Sequence, residues 1–159
     1  MKTVMNAAKK EKSDIREYID RVVVFLDIEY GLPVVFEHDG ETALFHSKRS
    51  IIPGDFIIVD NRVTLERQLY MLLHETGHVL LRECEVEHAR RYPAAVLNSK
   101  RATRAHKIDT LREEVMAWEK GLEIASDFQI PIDDKLWHSM VTRDRKSTRL
   151  NSSHNLISY

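Results

Sequence analysis

The chain has 159 residues, of which 43 % are hydrophobic and 31 % are charged, and its formal net charge is −1. This length supports one domain, since chains split into several domains only well beyond about 200 residues. The balanced charge gives no general attraction for nucleic acid. The longest purely apolar run, residues 22–26, is too short to span a bilayer, and the single cysteine excludes an intrachain disulfide. We therefore expect a cytoplasmic protein without membrane partners or direct nucleic-acid partners.

The first predicted element is a helix. Apolar residues between Ile15 and Leu26 recur at the spacing of one helix face, Ser13 is the predicted N-cap, and Gly31 is the stop signal. The polar residues before Ser13 are expected to form an arm ahead of this helix.

Three short strands are predicted next. Residues 33–38 and 41–46 are rich in β-formers and are joined by Asp39-Gly40, the strongest two-residue hairpin signal. A third strand is expected over 55–60. We therefore expect a small antiparallel sheet that begins with a β-hairpin.

The second half of the chain is predicted to be helical. Thr64 is the expected N-cap of a helix that runs to about Arg82. Residues 83–104 have mixed charge and no clear period, so we expect a loop with short helical pieces. Periodicity returns over 111–125 in a second long helix, and Asp133 is the expected cap of a final short helix. The fold class predicted from these elements is α+β.

The helix after Thr64 carries the pattern that indicates chemistry. The sequence LYMLLHETGHVLLR over 69–82 places His74, Glu75 and His78 in the pattern HExxH. Residues four apart share one helix face, so both imidazoles can reach a single ion, and Glu75 is the candidate catalytic base. Burying these groups among apolar residues without partners would be costly, and a metal ion would remove that cost. The alternative is a pair of hydrogen-bonded core histidines. Gly77 costs a helix about 1 kcal/mol, which suggests that something packs close to that turn.

A catalytic zinc needs three protein ligands, so one ligand must come from outside the motif. The second long helix has an apolar stripe formed by Leu111, Val115, Trp118, Leu122 and Ala125. At about 100° per residue, Glu114 borders this stripe and Glu113 points to the opposite side. A carboxylate beside an apolar stripe needs a partner, so we predict Glu114 as the third ligand. The alternative is a salt bridge from Glu114 to Arg67 or Arg112.

Three other residues are weaker ligand candidates. A different class of HExxH enzymes would have glycine at position 81 and histidine at position 84, where this chain has Leu81 and Cys84. We expect Cys84 to be a small buried residue. His88 and His106 belong to the polar segment after the motif, and we expect them to be solvated.

The last sixteen residues look unlike evolved protein. The sequence DRKSTRLNSSH, which begins at Asp144, matches an in-frame translation of a common sequencing-library adapter. We therefore expect residues 144–159 to be adapter read-through and to lack structure. The remaining residues 1–143 carry a net charge of −3.

Two segments together resemble a known family. The run QLYMLLHETGHVLL (68–81) is followed, 36 residues after His78, by Glu114 in EEVMAWEKGLEIA (113–125). This arrangement is similar to the ImmA/IrrE-type zinc metallopeptidases, which are gluzincin-like, and in particular to the short forms common in phages and prophages. The resemblance covers residues 60–126 well and the N-terminal helix and strands loosely.

The resemblance implies a single minimal zincin-like metallopeptidase domain over 1–143. Its zinc ligands would be His74, His78 and Glu114, and Glu75 would be the catalytic residue. The implied activity is hydrolysis of peptide bonds in a protein substrate such as a phage or host transcriptional repressor.

Two other functions fit the same motif. The first is a SprT-like, DNA-associated protease, which would use the basic residues Arg90, Arg91, Lys100, Arg101, Arg104 and Lys107. Such enzymes usually have a histidine as third ligand and often carry cysteine pairs, which this chain lacks. The second is a non-catalytic regulatory protein that keeps the metal site.

Overall fold

The structure is a computed structural model that describes the backbone of residues 2–38, 43–45, 55–96 and 103–154, with side chains over 14–38, 55–94 and 103–144. The elements of these ranges are α1 (Lys2–Tyr30), β1 (Val34–Glu37), β2 (Ala43–Phe45), β3 (Phe56–Asp60), α2 (Leu65–Arg82), α3 (Glu85–Arg91), α4 (Pro93–Val96), α5 (Arg104–Asp127) and α6 (Asp134–His154). The predicted α+β class is confirmed. Among the described residues, no helix combines the length and the hydrophobicity that crossing a bilayer requires.

The chain divides into two compact units, Met1–Thr76 and Gly77–Tyr159. The division falls within α2, which is one continuous helix. The first unit contains α1, the sheet and the N-terminal two thirds of α2, and the second contains the rest of α2 and the helices that follow. The single domain over 1–143 stays a prediction.

The sheet of the first unit is mixed, with the strand order β1-β3-β2. Strand β1 pairs with β3 in parallel, from Val34 opposite Ile57 to Glu37 opposite Asp60. Strand β2 pairs with β3 in antiparallel fashion. The predicted antiparallel sheet with a β1–β2 hairpin is therefore wrong, although all three strands lie where they were expected. Asp39-Gly40 lies outside the described residues.

The central position of β3 has a physical reason. β3 is the longest of the three strands, and its sequence FIIVD is apolar except for the last residue, which suits a strand that pairs along both edges. Phe56, Ile57 and Val59 are all buried. The Asp39-Gly40 pattern predicts that the chain reverses direction after β1. It does not determine which strand pairs with β1.

Helix α1 is longer than predicted, because it begins at Lys2 and Ser13 is not its N-cap. The segment before Ser13 contains alanine, lysine and glutamate, which are good helix formers, and no glycine or proline that would end a helix. The predicted end is confirmed. Gly31 adopts a φ of 59°, and its N–H donates to the carbonyl oxygen of Asp27 at 3.0 Å.

Helix α2 has the predicted bounds, and its N-cap is also confirmed. The backbone N–H of Arg67 donates to Oγ1 of Thr64 at 3.4 Å. The side chains of Tyr70, Leu72 and Leu73 are almost completely buried. This burial fixes which face of α2 is turned away from solvent.

The second unit contains the short helices α3 and α4, which meet at Tyr92-Pro93 and match the expected short helical pieces of this segment. Helices α5 and α6 pack through an edge-to-face pair of Trp118 and Trp137, whose ring centroids lie 4.9 Å apart. Asp133 caps α6, because its Oδ1 accepts a hydrogen bond from the N–H of Leu136 at 2.9 Å.

The expected lack of structure after residue 143 is contradicted over residues 144–154, where the helix α6 continues. No glycine or proline interrupts this stretch, so nothing in its sequence ends the helix. Nε1–H of Trp118 donates to Oδ2 of Asp144 at 3.0 Å. The adapter origin of this segment stays a prediction.

The C-terminal half of α2 contacts α5 at Gly77. A Cβ atom at Gly77 would lie 2.0 Å from the carbonyl oxygen of Ala117 and 2.8 Å from its carbonyl carbon. Only glycine allows two helix backbones to approach this closely. The expectation that something packs against the turn at Gly77 is therefore confirmed.

We expect Gly77→Ala to destabilise the protein by roughly 3 kcal/mol or more, because the added methyl group meets backbone atoms that cannot rotate away. Gly31→Ala is the matched control, since a Cβ there meets nothing within 4 Å and is opposed only by the positive φ. That control should cost about 1–2 kcal/mol. Urea unfolding of both variants measures the difference, and an equal or smaller loss for Gly77→Ala would contradict the close contact.

Candidate metal centre

The two motif histidines lie one turn apart on α2, and both are buried. His74, His78 and Glu114 form a cluster in which each side chain offers one ligand atom, and these atoms all lie within 4.8 Å of one another. The three residues predicted as metal ligands are thus brought together. Among the described residues, this is the group that could hold a metal ion.

Within this cluster, His78 and Glu114 are in direct contact. Nε2 of His78 lies 3.4 Å from Oε2 of Glu114, and the Glu114 side chain is 19 % exposed. Arg112, one of the alternative partners considered for Glu114, lies 3.7 Å from Asp109. Glu114 therefore directs an oxygen towards the motif, and this contact fits either a shared metal ion or a direct hydrogen bond between His78 and Glu114.

The donor set fits a zinc ion. Two imidazole nitrogens and one carboxylate oxygen are the ligands of many catalytic zinc sites. A tetrahedral ion with bonds of about 2.0–2.2 Å holds its ligands roughly 3.3–3.6 Å apart, which agrees with the 3.4 Å between His78 and Glu114. A pair at the 4.8 Å limit would have to approach by about an ångström, which small side-chain rotations can provide. The same donors suit other divalent transition metals, so the geometry is compatible with a metal ion and does not identify it.

Glu75, the candidate catalytic base, is also buried. It directly follows His74 on α2, so its carboxylate belongs to the same turn as the first histidine. The hydroxyl of the next residue, Thr76, donates to the carbonyl oxygen of Leu72 at 2.7 Å and is satisfied within the helix. The catalytic role of Glu75 stays a prediction.

Glu113 does not point to the opposite side of α5, as the sequence predicted. It is only 5 % exposed, whereas Leu122 of the predicted apolar stripe is 40 % exposed. The buried residues of α5 are Asp109, Glu113, Ala117, Trp118, Gly121, Ile124 and Ala125. The buried face is therefore set by the small residues that permit close packing, and Glu113 lies on it one turn before Ala117.

Glu113 is at the centre of a polar network behind the histidine. Its Oε1 accepts hydrogen bonds from Nε and Nη2 of Arg82 at 3.0 and 2.8 Å. The same oxygen lies 3.1 Å from Nε2 of His88 and 3.5 Å from Nδ1 of His78. Burial raises the pKa of Glu113, but the interaction with His78 and the charge of Arg82 outweigh it and lower the pKa to about 2. The carboxyl group is therefore ionised at neutral pH.

The expectations for the other ligand candidates need correction. His88 is half-buried rather than solvated, and its ring packs 5.2 Å from that of Tyr92. Burial, together with the nearby charge of Glu113, raises the pKa of Tyr92. His106 is also half-buried, and its Nδ1 lies 3.0 Å from the carbonyl oxygen of Ala94. Cys84 is exposed rather than buried, because it lies in the short connection that precedes α3.

Sequence reasoning missed the network of Glu113, Arg82 and His88. One signal was present, because Arg82 lies four residues after His78 and therefore shares its helix face. A cation on the ligand face of a buried helix calls for an acidic partner, and the next long helix offers two adjacent glutamates.

Comparison with known proteins found no matching family model, no similar curated protein and no similar solved structure. The resemblance to the ImmA/IrrE-type metallopeptidases therefore rests on the motif and its spacing alone. The candidate metal centre rests on the geometry of His74, His78 and Glu114.

We expect Arg82→Met to destabilise the metal-free protein by roughly 1–3 kcal/mol, because it leaves the buried carboxylate of Glu113 without its charged hydrogen-bond donor. Arg90→Met is the control, since Arg90 pairs with Glu87 on the surface and such pairs contribute less than about 1 kcal/mol. Urea unfolding with a chelator present compares the two variants. Equal losses would contradict the special position of Glu113.

Proposed function

We propose that the protein is a zinc-dependent metallopeptidase that hydrolyses peptide bonds in a protein substrate. The observation that carries this proposal is the convergence of His74, His78 and Glu114, with an acidic residue next to the first ligand. Two histidines and a carboxylate leave a coordination position open for water or substrate, which distinguishes catalytic from structural zinc sites.

The proposed mechanism assigns proton transfer to Glu75. A zinc ion held by the three ligands would lower the pKa of its water from about 16 to near 7 and would polarise the scissile carbonyl. The Glu75 carboxylate accepts a proton from the attacking water while the water oxygen forms its bond to the carbonyl carbon. Glu75 then gives this proton to the leaving nitrogen as the C–N bond breaks. The carboxylate is regenerated, so one water is consumed for each bond cleaved.

A peptide is the substrate class that fits this chemistry. Strand β1 is an edge of the sheet, and extended peptides can pair with an exposed strand edge. A minimal zincin-like fold and a transcriptional repressor as substrate follow from the resemblance to the ImmA/IrrE-type enzymes, and both are part of the proposal. A cytoplasmic location agrees with such a substrate.

The DNA-associated alternative receives no support from the basic segment after the motif. Arg90 and Arg91 both pair with Glu87, and their hydrogen bonds lower the pKa of the Glu87 carboxyl to about 2. Lys100 and Arg101 lie outside the described residues. No described feature favours DNA over peptide as the ligand. The non-catalytic alternative shares the metal site, so it is separated from the peptidase only by a measurement of turnover.

Metal analysis tests the ligand set. Purified protein should contain about one zinc per chain, and Glu75→Gln should retain it because Glu75 is not a ligand. His74→Ala should lose the metal, and Glu114→Ala should weaken its binding by more than about 100-fold. The exposed residues His38 and Glu119 provide matched controls as His38→Ala and Glu119→Ala. Wild-type zinc content in Glu114→Ala would remove Glu114 from the ligand set.

Peptide cleavage tests the reaction. A library of quenched fluorescent peptides should be cleaved by the zinc-loaded protein, the activity should vanish with a chelator, and added zinc should restore it. Glu75→Gln should lower the rate at least about 100-fold while zinc is retained, because it removes only the proton acceptor. Zinc binding with unchanged cleavage in Glu75→Gln would contradict the role of Glu75. Zinc binding with no cleavage of any peptide would favour the non-catalytic alternative.

A further inference from the structure

The two ring nitrogens of His78 face two different carboxylates. Nε2 lies 3.4 Å from Oε2 of Glu114, within the proposed metal centre. Nδ1 lies 3.5 Å from Oε1 of Glu113, on the other side of the ring. A histidine can bind a metal through one nitrogen while its other nitrogen donates a hydrogen bond, which fixes the tautomer and the ring orientation. The separation at Nδ1 is long for a hydrogen bond, and such contacts often tighten when a site is loaded.

We propose that Glu113 is a positioning residue for the metal centre, holding His78 in the tautomer that leaves Nε2 available to the metal. The inference rests on the proposed metal site and adds to it a residue outside the HExxH pattern and the predicted ligand set. Glu113 does not contact the substrate or reacting atoms in this role, because it acts through His78.

The surroundings of Glu113 explain why it positions a ligand rather than binding the metal itself. Its Oε1 is already engaged by two nitrogens of Arg82, and that guanidinium charge would repel a divalent cation at the same oxygen. The metal-directed nitrogen of His78 faces Glu114 instead. The adjacent glutamates of α5 therefore have different tasks.

The network also fixes the position of Glu113. Arg82 lies one turn after His78 on α2, whereas His88, at 3.1 Å from Oε1, belongs to α3. The carboxylate is thus held by two hydrogen bonds from α2 and lies beside an imidazole of α3. Its side chain is only 7 % exposed, so water competes little for these contacts. A carboxylate restrained in this way can restrain the imidazole next to it.

The experiment measures metal affinity and ligand geometry rather than turnover alone. Zinc affinity is determined by competition with a chromophoric chelator for the wild type, Glu113→Gln, Glu113→Ala and the exposed control Glu119→Gln. We expect affinity to fall by about 10-fold in Glu113→Gln, which keeps a weaker acceptor, and by up to about 100-fold in Glu113→Ala. The control should match the wild type. The visible absorption of the cobalt-substituted protein should also change in both Glu113 variants, because a reoriented imidazole alters the ligand field.

Each outcome bears on the proposal. Affinity within twofold of the wild type and an unchanged cobalt spectrum in folded Glu113→Gln would overturn it, and Glu113 would then be only the structural partner of Arg82. If Glu113→Ala does not fold, which circular dichroism detects, Glu113→Gln decides alone. A wild type that binds no zinc would overturn the metal site and this inference together. Metal loss in His74→Ala with unaffected Glu113 variants would overturn this inference only.

Discussion

The cluster of His78 with two glutamates depends on the close approach of two helix backbones. Gly77 lies inside the HExxH motif, and a Cβ there would lie 2.0 Å from the carbonyl oxygen of Ala117. Because Gly77 immediately precedes His78, and because Glu113 and Glu114 lie one turn before Ala117, this contact brings two carboxylates to the same imidazole. A bulkier residue at either position would separate the helices, and the carboxylates would no longer reach His78.

Adjacent residues on a helix point about 100° apart, so two successive glutamates leave α5 in different directions. They can therefore flank a flat ring that lies between them. Glu114 approaches Nε2 of His78 and Glu113 approaches Nδ1. Helix α5 therefore supplies both Glu114, the proposed third ligand, and Glu113, the proposed restraint on His78. The contact between α2 and α5 brings both carboxylates close to that imidazole.

The sequence predicted the parts of the site that depend on local spacing. The bounds of α2, the pairing of His74 with His78, and Glu114 as their partner all follow from helical periodicity and from the cost of burying polar groups. The prediction put Glu113 on the exposed face of α5 because the buried face was inferred from the large apolar residues. The backbone of the small residue Ala117, however, makes the close contact with Gly77, and Glu113 lies on the same buried face. The order of the strands and the exposure of Cys84 depend on tertiary packing, which periodicity does not report.

The charge balance explains how a second buried carboxylate can lie so near the site. An uncompensated carboxylate beside a metal ligand would add negative charge to the centre and would weaken the ability of a bound cation to acidify water. Arg82 donates two hydrogen bonds to Glu113, so the pair is close to neutral as a unit. In the proposed centre, Glu113 would orient His78 with little change in net charge, and a bound cation would be offset mainly by Glu114. Arg82, one turn after the motif, is therefore the residue that would make a positioning carboxylate compatible with the proposed catalysis.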